Sequence, residues 1–139
     1  MNPPVSASSM DVVTNRNVTW TLLDPQRALR NWYRLLRPGG RVIAVHHRTM
    51  RVGAKTPYPV KSHLPPLPDP TTGELVVTTN DARFSDSLVM LLAEAGFVDA
   101  KIVELKELDA VEAALGKDHL GWLAVTARRP LEVTGAANL

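Results

Sequence analysis

The run Val42-Ile43-Ala44-Val45 constrains this chain more than any other stretch. It is apolar without a break, so as a strand it has both faces buried. That pattern belongs to a parallel sheet covered by helices on both sides, with chemistry at the carboxyl ends of the strands. Pro38-Gly39-Gly40 stands just before the run and His46-His47 just after it.

The flanks supply the rest of the unit. Asp11-Val12-Val13-Thr14 predicts a short strand that passes into the polar Asn15-Arg16-Asn17. Asp24 followed by Pro25 predicts a helix start, because the carboxylate caps free N–H groups and Pro suits the first helical position. Ala28, Leu29, Trp32, Leu35 and Leu36 follow at helical spacing. Pro38-Gly39-Gly40 is expected to end that helix and turn the chain into a strand from Arg41 to about His46. The result is a strand, helix, strand crossover.

From about residue 48 to 80 the character changes. Pro57, Pro59, Pro65, Pro66, Pro68 and Pro70 all fall there, more than half of the chain's 11 prolines. Such a segment makes neither a long helix nor a central strand and reads as an insertion. Within it, Glu74 to Thr78 suits either a short strand or a helix start. Helical spacing returns with Phe84, Leu88, Leu91, Leu92 and Ala95, and Gly96 is placed to end that helix in a left-handed cap. Lys101 to Leu105 predicts a strand near the sheet edge. Asp109 and Glu112 have capping-box spacing for a short helix ending near Gly116. Trp122 to Ala127 is the last predicted strand, and 131–139 is expected to fray.

Composition narrows the function classes. The chain has 139 residues, enough for one domain with a real core. Sixteen basic residues stand against fourteen acidic ones, with no basic block, so nucleic acid is not an expected partner. No cysteine is present, which excludes a thiolate nucleophile or thiolate metal site. No stretch reaches the roughly 20 apolar residues that span a bilayer. The first residues lack the basic lead and apolar run of a signal peptide. A cytoplasmic protein without a membrane partner is the expectation.

Six motifs then stand in order: Asp11-Val12-Val13, Asn15-Arg16-Asn17, Trp20, Asp24-Pro25, Leu36-Arg37-Pro38-Gly39-Gly40 and Ala95-Gly96-Phe97. From Ser9 to Arg129 the chain resembles the second half of a class I S-adenosylmethionine-dependent methyltransferase (type 11). The closest flavour is the group of the ubiquinone and menaquinone biosynthesis methyltransferases. The resemblance implies an α/β fold: a partial Rossmann-like sheet holding strands four to seven of the family, with flanking helices. It also implies that the N-terminal strands and the family's glycine-rich, adenosine-gripping turn are missing. The expectation is a single truncated domain over 1–139, a carboxyl-terminal half that is inactive without its other half.

By the same resemblance, S-adenosylmethionine is the cofactor and a small molecule the methyl acceptor. Asn15, Arg16 and Asn17 fall on the cofactor side, and Val18, Thr19 and Trp20 beside the acceptor pocket. Read from residue type alone, Asn15 and Asn17 equally serve as turn formers and Arg16 as a solvated charge. His46 is a candidate base for the acceptor's proton, with His47 next to the acceptor. The alternative for the pair is a strand end bonded into the following loop. Adjacent strand residues face opposite ways, so the pair is not expected to bind a metal. A non-enzymatic reading stands beside the first. With strands one to three missing, Asp11 to Thr14 becomes an open edge, suited to self-association or to a complementing N-terminal fragment.

Overall fold

A computed structural model describes residues 5–19, 22–47, 67–68, 72, 75–76, 84–116 and 121–132. Its elements, in chain order, are β1 (Met10–Arg16), α1 (Pro25–Leu35), β2 (Leu36–His47), β3 (Leu67–Pro68), β4 (Leu75–Val76), α2 (Phe84–Glu94), β5 (Val98–Glu104), α3 (Lys106–Ala114) and β6 (Trp122–Arg128). Four strands form one sheet in the order β1-β2-β6-β5, and β3 pairs with β4 in a separate two-residue ladder. This ladder gives Leu75–Val76 to the strand alternative. The rest of the proline-rich segment, Trp20 and residues 133–139 lie outside the described residues.

The sheet is mixed, which corrects the parallel sheet expected from the apolar run. β1 and β2 are parallel, while β6 runs antiparallel to both β2 and β5. The reason lies in where the connection after β5, which contains α3, brings the chain back. Leu105 N–H donates to Trp122 O at 2.9 Å, so the chain turns back at the edge where β5 ends. A parallel return would need a crossover along the whole sheet. β1, β2 and β5 therefore share a carboxyl edge, where β6 begins.

Asp24 caps α1 as expected: its Oδ1 accepts from Arg27 N at 2.9 Å, with Pro25 in the first turn. The helix ends at Leu35, earlier than the Pro38-Gly39-Gly40 break, because Leu36 is already extended (φ −71°, ψ 141°). Arg37 precedes a proline, which disfavours helical backbone there. Pro38-Gly39-Gly40 becomes instead a bulge within β2. Met10 pairs with Leu36 and Val12 with Arg41, so Arg37 to Gly40 loop out opposite Asp11 alone. A Cβ on Gly40 would lie 2.9 Å from Arg37 O and 3.0 Å from Asp11 O, so only glycine fits.

The end of α1 is held from three directions. Leu36 N–H donates to Trp32 O. Ser8 N–H donates to Arg34 O (2.8 Å) and Ser9 N–H to Leu35 O (2.9 Å). Arg129 Nη1 donates to Tyr33 O (3.2 Å) and Leu36 O (2.6 Å), and to Ser8 Oγ (3.2 Å). Its guanidinium also lies 4.8 Å from the Tyr33 ring centroid. Every carbonyl of the last turn thus has a donor.

The core forms where α1 and α2 cover one sheet face. Leu29, Leu36, Leu88, Leu91, Leu92 and Phe97 pack on Val42, Ala44, Val125 and Ala127. Gly96 ends the helical turn with φ +99°, as predicted, and Phe97 N–H reaches back to Leu92 O at 3.0 Å. The helix cover expected on both faces is present on one among the described residues. On the other face Val12 is 46% exposed and Val103 37%.

Arg129 and its neighbour Arg128 differ in what they hold: part-buried carbonyls for the first, an exposed carboxylate for the second. Arg128 pairs with Asp99 at 2.7 Å on the surface. Arg129→Ala is expected to cost about 2–4 kcal/mol in urea unfolding, since it strips two part-buried carbonyls of their donor. Arg128→Ala should cost about 1 kcal/mol or less. Equal losses would refute the clasp assigned to Arg129.

Candidate functional site at the carboxyl edge

β1 runs through Arg16 rather than stopping at Thr14, because its ladder with β2 continues. Asn15 pairs with Ala44 and Arg16 with Val45, and Asn17 N–H then donates to Val45 O at 2.9 Å. Two of the three polar residues expected in a turn are therefore strand residues, and strand alternation separates them. Asn15 projects on the side of Ala44 and the helices. Arg16 projects on the opposite face, its guanidinium carbon 5.8 Å from the Trp122 ring centroid. Asn17 alone takes a turn conformation, with φ 54°, which Asn tolerates better than most residues.

The helix-side half of the edge is polar and closed. Thr19, 3% exposed, donates through its hydroxyl to Asn15 Oδ1 at 3.0 Å. His46, 4% exposed, shares a 2.7 Å hydrogen bond between its Nε2 and Ser85 Oγ. Asn15 Nδ2 and Asn17 Oδ1 are buried and find no protein partner. One is a donor and the other an acceptor, and each costs free energy while it stays unsatisfied. Val18 is exposed at 41%. His47 pairs with Trp122 through the backbone, its side chain lying outside the described residues, as does Trp20.

Sequence reasoning missed Ser85, Asp109 and the placing of Trp122. Ser85 lies three residues before Leu88, on the stripe that buries α2, so a serine on an apolar stripe was the available signal. Asp109 does not open α3. That helix starts at Lys106 with no side-chain cap, and Asp109 Oδ1 accepts instead from Trp122 N at 2.8 Å. A carboxylate facing the first residue of β6 is a tertiary contact, which local spacing does not reveal. Among the described residues no three His, Cys, Asp or Glu come together as a metal site, and no helix is long and apolar enough to cross a membrane.

Comparison with known proteins fits this geometry. The family model described as a methyltransferase domain matches residues 1–44, which include β1, α1 and the Pro-Gly-Gly bulge. A solved S-adenosylmethionine-dependent methyltransferase from Methanosarcina mazei is 20% identical with a TM-score of 0.54, over 94% of this chain and 64% of its own. This is the class I methyltransferase fold.

Another structure with this methyltransferase fold, a possible histamine N-methyltransferase from Thermotoga maritima, is 20% identical with a TM-score of 0.57. It is matched over 92% of this chain and 60% of its own. The [4+2]-cyclase SpnF has a TM-score of 0.52 at 17% identity, over 94% of this chain and 53% of its own. The chain thus spans 53% to 64% of the length of these structures. No curated protein matches it at a significant level.

The His46–Ser85 bond joins the end of β2 to the first turn of α2. Ser85→Ala leaves a buried imidazole nitrogen without its hydroxyl and should lower stability by about 1–3 kcal/mol. Thermal unfolding checks this, and a change within error would mean that the bond does not form in solution.

Proposed function

We propose that this chain serves S-adenosylmethionine-dependent methyl transfer to a small-molecule acceptor, contributing the methionine end of the cofactor site and part of the acceptor pocket. The observation that carries this reading is the buried pair Asn15 Nδ2 and Asn17 Oδ1, unsatisfied at the carboxyl edge of a methyltransferase sheet. A donor and an acceptor without partners at the end of one strand suit the carboxylate and ammonium of an amino acid. For the adenosine, the described residues offer no glycine-rich turn and no carboxylate beside the two amides. This part of the fit is not met by them.

The cofactor, when bound, supplies an electrophilic methyl group on a sulfonium. The protein's share is positional. Asn15, braced by the Thr19 hydroxyl, and Asn17, fixed by its backbone bond to Val45, orient the methyl donor's amino-acid end. Val18 and Thr19 are given the acceptor side of the same edge; the other two acceptor-side candidates, Trp20 and the His47 side chain, lie outside the described residues. We give His46 a positioning part through Ser85, since a proton-accepting part requires the acceptor to reach a ring 4% exposed.

A second reading rests on the contrast between the two edges of the sheet. β5 carries Asp99, Lys101 and Glu104 and a register irregularity, the usual guards of a solvent edge. β1 is uncharged from Val12 to Asn15, and beside it lies a groove of about 590 Å³ whose lining joins Val13, Leu22 and Trp32 to the polar Asp24, Arg27 and Asn31. In this reading the chain is a non-catalytic module whose β1 edge pairs with a second copy. A complementing segment in that copy's place would mark the chain instead as one part of a larger enzyme.

Two measurements decide between the readings. Titration calorimetry with S-adenosylhomocysteine should show one-to-one binding, weakened about tenfold or more by Asn15→Ala through the loss of a charge-assisted hydrogen bond. No binding by folded protein would remove the enzymatic reading for this chain alone. Sedimentation equilibrium should show a dimer that Val12→Lys dissociates if β1 pairs with itself. A monomer at high concentration would remove the second reading.

A further inference from the structure

The stacking of Arg16 on Trp122 has no part in the core and none in the donor site proposed above. Arg37 meets Asp11, Arg128 meets Asp99 and Arg129 meets Glu132, whereas Arg16 meets no carboxylate among the described residues. An aromatic ring holds it instead, at 5.8 Å. Trp122 is 5% exposed, and its backbone is held on both sides: the main-chain N–H donates to Asp109 Oδ1 and the carbonyl accepts from Leu105 N–H. A guanidinium over a ring still has its N–H donors available in the fork that matches a carboxylate or phosphate.

Position adds to chemistry. Arg16 is the last residue of β1, at the carboxyl edge, and exposed to solvent. Alternation puts it on the face opposite Asn15, away from the amides to which the donor's amino-acid end is given. We infer that Arg16, seated on Trp122, receives an anionic group of the methyl acceptor, a carboxylate or a phosphate. The acceptor is then an acid-bearing small molecule, and its neutral analogues bind poorly. This inference rests on the methyl-transfer reading for the word acceptor, while the anion subsite itself stands on the geometry alone.

The test uses the full chain at low salt, with benzoate as the anionic probe and benzamide as its neutral counterpart. Nuclear magnetic resonance should show the Arg16 Nε–H and Trp122 indole signals moving with benzoate and staying in place with benzamide. Arg16→Met should weaken benzoate about tenfold, the scale of one charge-assisted bond, and Arg16→Lys should retain part of it. Because Arg16 is exposed, both variants are expected to melt like the parent chain. S-adenosylhomocysteine binding should be unchanged in Arg16→Met. Equal responses to the two probes would overturn the subsite. A tenfold loss of S-adenosylhomocysteine in Arg16→Met would overturn the assignment to the acceptor, giving the guanidinium to the donor's carboxylate. If the parent chain binds benzoate through Arg16 but not S-adenosylhomocysteine, methyl transfer falls and the anion subsite stands.

Discussion

A helix that ends against a sheet leaves its last carbonyls pointing into the protein, and each needs a donor. In this chain the donors come from far apart in sequence: Ser8 and Ser9 before β1, Leu36 at the start of β2, and Arg129 after β6. Arg129 does more than fill a vacancy. Its side chain takes the carbonyls of Tyr33 and Leu36, while its backbone N–H donates to Gly40 O at 2.8 Å and its carbonyl accepts from Gly39 N–H at 2.9 Å. One residue therefore fixes the end of α1, the bulge of β2 and the end of β6. The bulge sets where β2 resumes pairing with β1 at Val12 and Arg41. From that register follow the neighbours at the other end of the strands, where Arg16 lies beside Val45 and Asn17 N–H reaches Val45 O. The polar edge is held in place from the opposite end of the sheet.

The sequence was most readable where a signal is local. The Asp24-Pro25 cap, the stripe of α2 and the Gly96 terminus each depend on a few consecutive residues, and each is found where spacing puts it. Signals decided by distant partners were not readable in the same way. Asn15 and Arg16 look like turn residues, yet the ladder with β2 extends them. Asp109 looks like a cap, yet the start of β6 claims its carboxylate. The apolar run in β2 announced a strand with both faces buried; Val42 and Ala44 are buried and Ile43 and Val45 half-buried, and neighbour direction depends on how the chain returns after β5, which the run does not encode. At the carboxyl edge, strand alternation divides Asn15 and Arg16 between two faces, which residue type alone does not reveal. Ser85 emerged only when α2 packed over His46.

Shared architecture sets limits on the chemistry. A methyltransferase fold places strand ends, and with them side chains, around a common edge. The [4+2]-cyclase SpnF has the same architecture at a TM-score of 0.52, so the sheet does not dictate the reaction. In this chain the edge is split between its faces: the Asn15 amide on the helix side, a guanidinium over tryptophan on the other. A ligand spanning the edge would meet neutral hydrogen-bonding groups at one end and positive charge at the other.

The strand order carries a consequence for how the chain is made. β6 is last in sequence but lies between β2 and β5, and β5 has no other neighbour in the sheet. As the polypeptide leaves the ribosome, β1, α1 and β2 can pair at once, whereas β5 waits until Arg128 has emerged. Its apolar residues Val98, Ile102 and Val103 are without a hydrogen-bonded neighbour for that interval. Newly made chains are thus most open to misassociation late in synthesis, when the first crossover is formed and the middle of the sheet is still vacant.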